Sequence, residues 1–209
     1  KRQIVDETLM SIYDLEKMFG NLSLPGGRFR ANGCLFEERT AIIIPYRNRM
    51  KHLLQFLSNV LPKLLRQKVD FTIFVIEQTE SAAFNRGMMR NIGFVEAGKS
   101  GKFGCFIFND VDTIIEDDRN IYKCSRSMVR HMLSSTDKDG YWLPYYACMG
   151  GIVAFTTDQF QYINGYSNLF FMWGAEDDDL YRRVVEAGYN IERPPDPLAA
   201  VTKLKHTEE

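Results

Sequence analysis

None of the four cysteines (Cys34, Cys105, Cys124 and Cys148) forms a C-x-x-C pair, so a structural zinc site is not expected. No apolar run approaches the roughly 20 residues of a membrane span. The chain has no G-x-S-x-G and only three histidines, which argues against Ser-His-Asp or Cys-His hydrolysis. Neither a Walker-type loop nor G-x-G-x-x-G is present, so a glycine-rich phosphate cradle is not supported. Excess charge of one sign is missing too. A net charge of -1 gives no basic surface for nucleic acid or an anionic membrane. There is no internal repeat, no low-complexity tract and no signal sequence, and the chain opens at Lys1-Arg2. It is expected to be a piece of a longer precursor, cut at both ends.

What is present is the composition of one globular domain with a single core, 45% hydrophobic and 25% charged. Apolar spacing over residues 4–19 predicts a short surface or linker helix ending at Gly20, and Pro25-Gly26-Gly27 breaks the chain before an irregular stretch, 28–39. Thr40 to Ile44 is a continuous apolar run closed by Pro45, which suits a strand buried on both faces. Met50 to Leu65 is helical in period, Phe71 to Ile76 is a second strand, Asn85 to Ala97 a second helix, and Cys105 to Phe108 a third strand. The alternation predicts an α/β fold with a mainly parallel central sheet flanked by helices. Ligands in such sheets bind beyond the carboxyl ends of the strands. Here those ends carry Pro45-Tyr46-Arg47-Asn48-Arg49, Glu77-Gln78 and Asn109-Asp110-Val111-Asp112.

Two acidic motifs stand out. Asp110 and Asp112 follow a buried strand, where extended backbone would turn both carboxylates one way. Oxygen ligands suit Mg²⁺ or Mn²⁺ shared with substrate phosphates, while the bland reading is an Asx-type turn. Downstream, Trp173-Gly174-Ala175 leads into Glu176, Asp177, Asp178 and Asp179, which open an amphipathic stretch from Leu180 to Ala187 that stops at Gly188. Acid in a first helical turn complements the macrodipole, but four in a row also repel one another. The sharper reading is a site where carboxylates meet a sugar or a metal and Trp173 supplies a stacking wall. Arg47, Arg49 and Arg86 are candidate clamps for a diphosphate. His206 reads as a solvated surface residue unless the fold returns the tail to Asp112. Asn21-Leu22-Ser23 fits an N-glycosylation acceptor and leans towards an oxidising lumen.

Taken together, several strings resemble the β-1,4-galactosyltransferase family. They are Pro25 to Phe29, AIIIPYRNRMKHL (41–53), FNRGMMRNIGFVEA (84–97), CFIFNDVDTIIEDDRNIYKC (105–124), LPYYACMGGIVAFTTDQFQYINGYSN (143–168) and WGAEDDDLYRRVVEAGYNIERP (173–194). Order and spacing agree from about residue 25 to 206. The resemblance implies a GT-A-like nucleotide-sugar-binding domain over 25–209, shortened at its C-terminus, behind an N-terminal linker helix, 1–24. It also implies a type II membrane protein of the Golgi lumen, touching the membrane only through a missing N-terminal anchor. The reaction would move galactose or N-acetylgalactosamine from the UDP-sugar to O4 of a terminal N-acetylglucosamine, with Mn²⁺ and inversion.

Carried over by position, Asp112 and His206 would ligate the metal. Pro45, Arg47, Arg49, Phe84, Arg86, Asp110, Val111 and Lys138 would line the UDP side. Tyr145, Cys148, Gly151, Trp173, Glu176, Asp177 and Asp178 would contact the sugars. Asp177 would be the general base, with Glu176 and Trp173 beside it. Cys105 and Cys124 would form a disulfide bracketing the metal loop, and Cys34 would match a cysteine whose partner lies upstream.

The chain departs from the family pattern at three places. Alanine stands at 175, where the family has glycine, and its methyl is expected to narrow the acceptor site. Cys148 replaces a bulky aromatic on the donor-sugar wall, leaving room for a 2-acetamido group. Lys203 replaces a metal-binding methionine. Lys203, Ala175 and the short tail keep open a catalytically silent UDP-sugar-binding module or partner subunit. Trp173 and the tyrosines, as stacking surfaces beside hydroxyl-binding carboxylates, keep open a glycan-binding module that ignores UDP and metal.

Overall fold

A computed structural model describes residues 2–30, 33, 38–172 and 174–205. Its centre is β3 (Thr40–Tyr46), buried along its whole length; the other elements before it in the chain are α1 (Ile12–Phe19), β1 (Ser23–Leu24) and β2 (Arg28–Arg30). Then come α2 (Met50–Arg66), β4 (Asp70–Glu77), α3 (Arg86–Ser100) and β5 (Cys105–Asn109). The strand–helix alternation read from apolar period is therefore present, with boundaries close to those expected.

The period-2 alternation of β3 divides the core. Ile42, Ile44 and Tyr46 pack on one face with Phe56, Val60 and Leu64 of α2 and Leu15 and Phe19 of α1. Ala41 and Ile43 pack on the other with Ala97 of α3, Phe106, Phe155 and Leu180. β3 pairs in parallel with β4 on one side and β5 on the other, as crossover helices require. Beyond this parallel centre the sheet is mixed, with antiparallel pairs next to β4 and β5. β2 and β1 extend it past β4, and β9 (Ile152–Thr156) pairs with β5. β7 (Val129–His131) follows, with β10 (Ile191–Glu192) as a parallel edge strand.

The expected helix over 4–19 is only partly formed. Ser11 and Asp14 make a capping box, which starts α1 at Ile12. Residues upstream run along the domain instead: Gln3 N–H donates to the Glu116 carbonyl at 2.7 Å, and Asn59 holds both backbone groups of Asp6. Val5, Leu15 and Phe19 belong to the core, and β1–β2 spans the proposed 24/25 boundary, so this segment is packed body rather than linker. Asn21 is exposed in a 3₁₀ turn, Gly20–Leu22.

No elements were expected between the third strand and the acidic helix, or after that helix, yet these regions position the site. β6 (Thr113–Ile115), β8 (Ser135–Thr136) and β11 (Ala200–Lys203) form a second sheet in the order β6-β11-β8. α4 (Thr157–Tyr162) opens with a Thr156–Gln159 capping box, and α5 spans Glu176–Glu186. Cys105 and Cys124 are bonded, 19 residues apart, as the resemblance implied. Closing a loop of that length stabilises the fold by about 3 kcal/mol in the chain-entropy picture. Cys34 lies outside the described residues, and Cys148 is free. No helix among the described residues is long and apolar enough to cross a membrane.

Candidate active site

The acidic run forms the first turn of α5, and each carboxylate has its own partner. Glu176 Oε1 accepts from Arg86 Nη1 at 2.7 Å, and Asp177 Oδ1 from Arg90 Nη1 at 2.9 Å. Asp178 Oδ1 accepts from the Tyr145 hydroxyl at 2.8 Å, and Asp179 Oδ2 from Arg183 Nε at 2.5 Å. Successive helical side chains fan out by about 100°, so four adjacent acids reach four different donors. The helix-start reading of the run is realised, since the four acids form the first turn of α5.

Ala175 is the N-cap of α5 and sits at φ 71°. A left-handed conformation costs an L-residue roughly 1–2 kcal/mol, which is the physical reason for glycine there. The consequence of alanine is thus felt in the backbone. Ala175→Gly is expected to stabilise the fold by about 1 kcal/mol, readable by urea denaturation.

Asp110 and Asp112 do not stand on extended backbone. The chain turns, with Thr113 N–H donating to the Asp110 carbonyl at 3.0 Å. The two carboxylates converge nonetheless, because both face Lys203 Nζ, Asp110 Oδ2 at 3.6 Å and Asp112 Oδ1 at 3.5 Å. The tail is brought there by β11, which pairs antiparallel with β6 so that Lys203 opposes Thr113. The return of the tail to Asp112, left open by spacing, is a fact of the fold. His206 and Trp173 themselves lie outside the described residues.

Arg90 links the two acidic motifs and was missed in the sequence. Its side chain is 1% exposed, with Nη2 on Asp110 Oδ1 at 2.6 Å and Nη1 on Asp177. Its guanidinium lies 4.8 Å from the centre of the Tyr166 ring. The available signal was its position four residues after Arg86, on the same face of α3.

Charge is nearly balanced here: Asp110, Asp112, Glu176 and Asp177 face Arg86, Arg90 and Lys203. Burial opposes ionisation of Asp110, but Arg90, Arg86 and Lys203 outweigh it and hold its carboxyl well below the usual range. Burial and the adjacent Asp177 push the Glu176 carboxyl up, against Arg86. For Lys203, burial works against the charge, and Asp112 and Asp110 more than restore it.

Gly150 and Gly151 form the floor between the motifs. A Cβ at 150 would lie 2.9 Å from Asp177 Oδ2, and one at 151 would meet Leu133 at 2.8 Å and Lys203 Nζ at 3.8 Å. Gly151, at φ 87°, also accepts the Asp110 N–H at 2.9 Å. His131 supports this floor from below: Nδ1 accepts from Arg193 Nε and Nε2–H donates to the Gly150 carbonyl. Burial pushes its ring down to about 3, so it stays neutral. Cys148, two residues away, is half-buried, and burial pushes its thiol up.

The remaining candidates spread around this centre. Pro45 lies one residue before the end of β3, beyond the β5 ladder, where its missing N–H is harmless. Arg47 donates to the Ala82 carbonyl at 2.9 Å and lies 5.1 Å over Phe84. Phe84 in turn accepts the Met172 N–H through its carbonyl, tying down the loop before α5. Arg49 caps α2, and Val111 is buried at the turn. Lys138 is exposed in the 137–140 turn beside Asp137, whose carboxylate accepts the Lys203 N–H at 2.7 Å.

Comparison with known proteins follows the same lines. The family model for the N-terminal region of glycosyl transferase group 7 matches residues 2–125, and that for the N-terminal domain of galactosyltransferase matches 130–207. The chain is 49% identical over 173 residues to a β-N-acetyl-D-glucosaminide β-1,4-N-acetylglucosaminyl-transferase of Lymnaea stagnalis, covering 83% of this chain and 35% of that protein. It is 44% identical over 182 residues to β-1,4-galactosyltransferase 6 of Rattus norvegicus, covering 87% and 47%. It therefore spans less than half the length of these relatives. Among solved structures, Drosophila β-1,4-galactosyltransferase 7 in complex with manganese, UDP-Gal and xylobiose superposes with a TM-score of 0.69 at 30% identity, covering 76% of this chain and 66% of the other.

Proposed function

Since the chain belongs to the β-1,4-galactosyltransferase family, with the GT-A fold of its structural relatives, we propose that it is the nucleotide-sugar-binding core of an inverting glycosyltransferase. It moves galactose or N-acetylgalactosamine from the UDP-sugar to O4 of a terminal N-acetylglucosamine on glycoproteins or glycolipids. The compartment is the Golgi lumen, where the chain is part of a type II membrane protein. The observation that carries this reading is the clamp of Arg90, which fixes Asp177 against Asp110 beside a floor without side chains.

Each group then has a task. Arg47 and Arg49, with Phe84 beneath Arg47, receive the diphosphate, and Arg86 adds charge from the start of α3. Pro45, Val111 and Lys138 line the UDP side around them. Glu176 and Asp178 accept sugar hydroxyls, with Asp178 oriented by Tyr145. Trp173 covers donor and acceptor. Asp177 holds one oxygen on Arg90 and turns the other to the open strip at Gly150, where it takes the proton of the acceptor hydroxyl. Attack from the face opposite the leaving group gives inversion in one displacement.

The residues present fit Mn²⁺ shared with a diphosphate, because oxygens of Asp110 and Asp112 already converge on one cation position. Among the described residues no group of three or more His, Cys, Asp or Glu could hold a metal ion, so Asp112 would hold it together with donor phosphates and His206. A metal held there would supply positive charge against that growing on the leaving diphosphate.

Release of UDP by the full-length protein, with N-acetylglucosamine, Mn²⁺ and each of UDP-galactose, UDP-N-acetylgalactosamine and UDP-N-acetylglucosamine, tests the reading. Metal-dependent turnover supports it. UDP binding without turnover favours the silent module instead, and sugar binding indifferent to UDP and metal favours the glycan-binding module.

Donor choice is carried by Cys148. The Lymnaea relative is named for N-acetylglucosaminyl transfer, so a 2-acetamido donor has a precedent among relatives. Cys148→Tyr is expected to lower kcat/KM for UDP-N-acetylgalactosamine relative to UDP-galactose by about 10- to 200-fold. Competition between the two donors measures this, and an unchanged ratio would remove Cys148 from the donor wall.

A further inference from the structure

Lys203 stands at the focus of Asp110 and Asp112, the place a divalent ion would take. Its backbone is pinned on both sides: its own N–H donates to Asp137 Oδ1 at 2.7 Å, and the next N–H, of Leu204, donates to the Asp112 carbonyl at 2.8 Å. The strand pairing with Thr113 fixes the same point. The ammonium is therefore delivered by a strand pinned on both sides. Its stem is not locked, however. The side chain keeps 24% of its exposure, and a lysine stem rotates about four single bonds.

We propose that Lys203 is a tethered cation that fills the metal position in the nucleotide-free protein, so that Mn²⁺ alone binds weakly and enters together with the diphosphate by displacing the ammonium. The proposal rests on the glycosyltransferase reading for the identity of the metal. Three features carry it. Both carboxylates already have a counter-ion at 3.5–3.6 Å, so a bare Mn²⁺ would meet a like charge instead of an empty anionic pair. Arg90 further neutralises Asp110, at 2.6 Å. A diphosphate supplies the missing negative charge and oxygen ligands, and gives the displaced ammonium a new partner.

The exchange makes metal and nucleotide binding mutually dependent, since each improves the site for the other.

The test is Mn²⁺ affinity of the full-length protein, by calorimetry and by the paramagnetic signal of free Mn²⁺, with and without UDP. Lys203→Leu keeps the apolar stem and removes the charge. It is expected to bind Mn²⁺ alone about tenfold tighter than the parent, within the usual range of site–site coupling. Lys203→Arg is expected to stay within about twofold of the parent, and UDP is expected to tighten Mn²⁺ binding far more in the parent than in Lys203→Leu. Lys203→Ala serves if the leucine variant does not fold. Equal Mn²⁺ affinity in the parent and in a folded charge-removing variant would overturn the proposal. Failure of sugar transfer alone would not, since metal affinity is read without a sugar donor.

Discussion

Asp177→Asn is expected to lower kcat/KM for sugar transfer by about a hundred- to ten-thousand-fold, the usual span of a lost general base. The substitution is nearly isosteric. The amide oxygen still accepts from Arg90, so the side chain keeps its direction, while the group facing Gly150 changes from an acceptor of protons to a donor. UDP binding, which the proposed reading gives to Arg47 and Arg49 beyond the clamp, should hold within about twofold, because the partner of Asp177 is Arg90. Calorimetric titration with UDP and Mn²⁺ beside UDP-release kinetics separates the two effects. Equal loss of UDP affinity would mean that the variant had disturbed the charge cluster as a whole. Retention of full turnover would assign the base to another group, Glu176 being the neighbour whose carboxyl is already pushed up.

The half of the site nearest the first three central strands was legible in the sequence, and for a definite reason. β3 is buried on both faces, so it reads as an unbroken apolar run, and α2 shows its period because one side faces that sheet. The carboxyl end of such a strand is a ligand position by topology, which brought Arg47, Arg49, Asp110 and Asp112 into view. The second half was legible only through resemblance to a family, since its geometry depends on contacts distant in sequence. Lys203 meets Asp112 through the β6–β11 pairing, 91 residues apart by number, and no local pattern encodes that. Short strands such as β6 and β8 carry too few residues for a period to show.

The capping box of α1 was a local signal passed over: Ser11 with Asp14 fixes the helix start more firmly than the apolar spacing that runs back to Val5. Arg90 failed for the opposite cause. In sequence it is one more basic residue of a helix, and only the arrival of α5 and the Asp110 turn makes it interior.

That interior position makes Arg90 the residue whose loss should cost the fold most. Arg90→Met is expected to destabilise the protein by about 3 kcal/mol, the lower end for breaking a buried ion pair by removing one partner. The lower end applies because Asp110 and Asp177 keep 14% and 19% of their side-chain exposure, so water shares the burden of their charge. Arg86 and Lys203 also remain to face them. For a chain of this size the melting temperature should fall by roughly 6–12 °C. A lysine at the same place restores the charge but offers a single ammonium, which cannot reach both carboxylates in the planar fork that Arg90 uses. Arg90→Lys should therefore recover only part of the loss. A cycle with Asp177→Ala isolates the clamp: if Arg90 holds Asp177 as the 2.9 Å contact implies, the double variant should be more stable than the sum of the single effects by about 1 kcal/mol or more. Strict additivity would mean that Asp177 is placed by the first turn of α5 alone. The link between the nucleotide side and the base would then be proximity, without coupling.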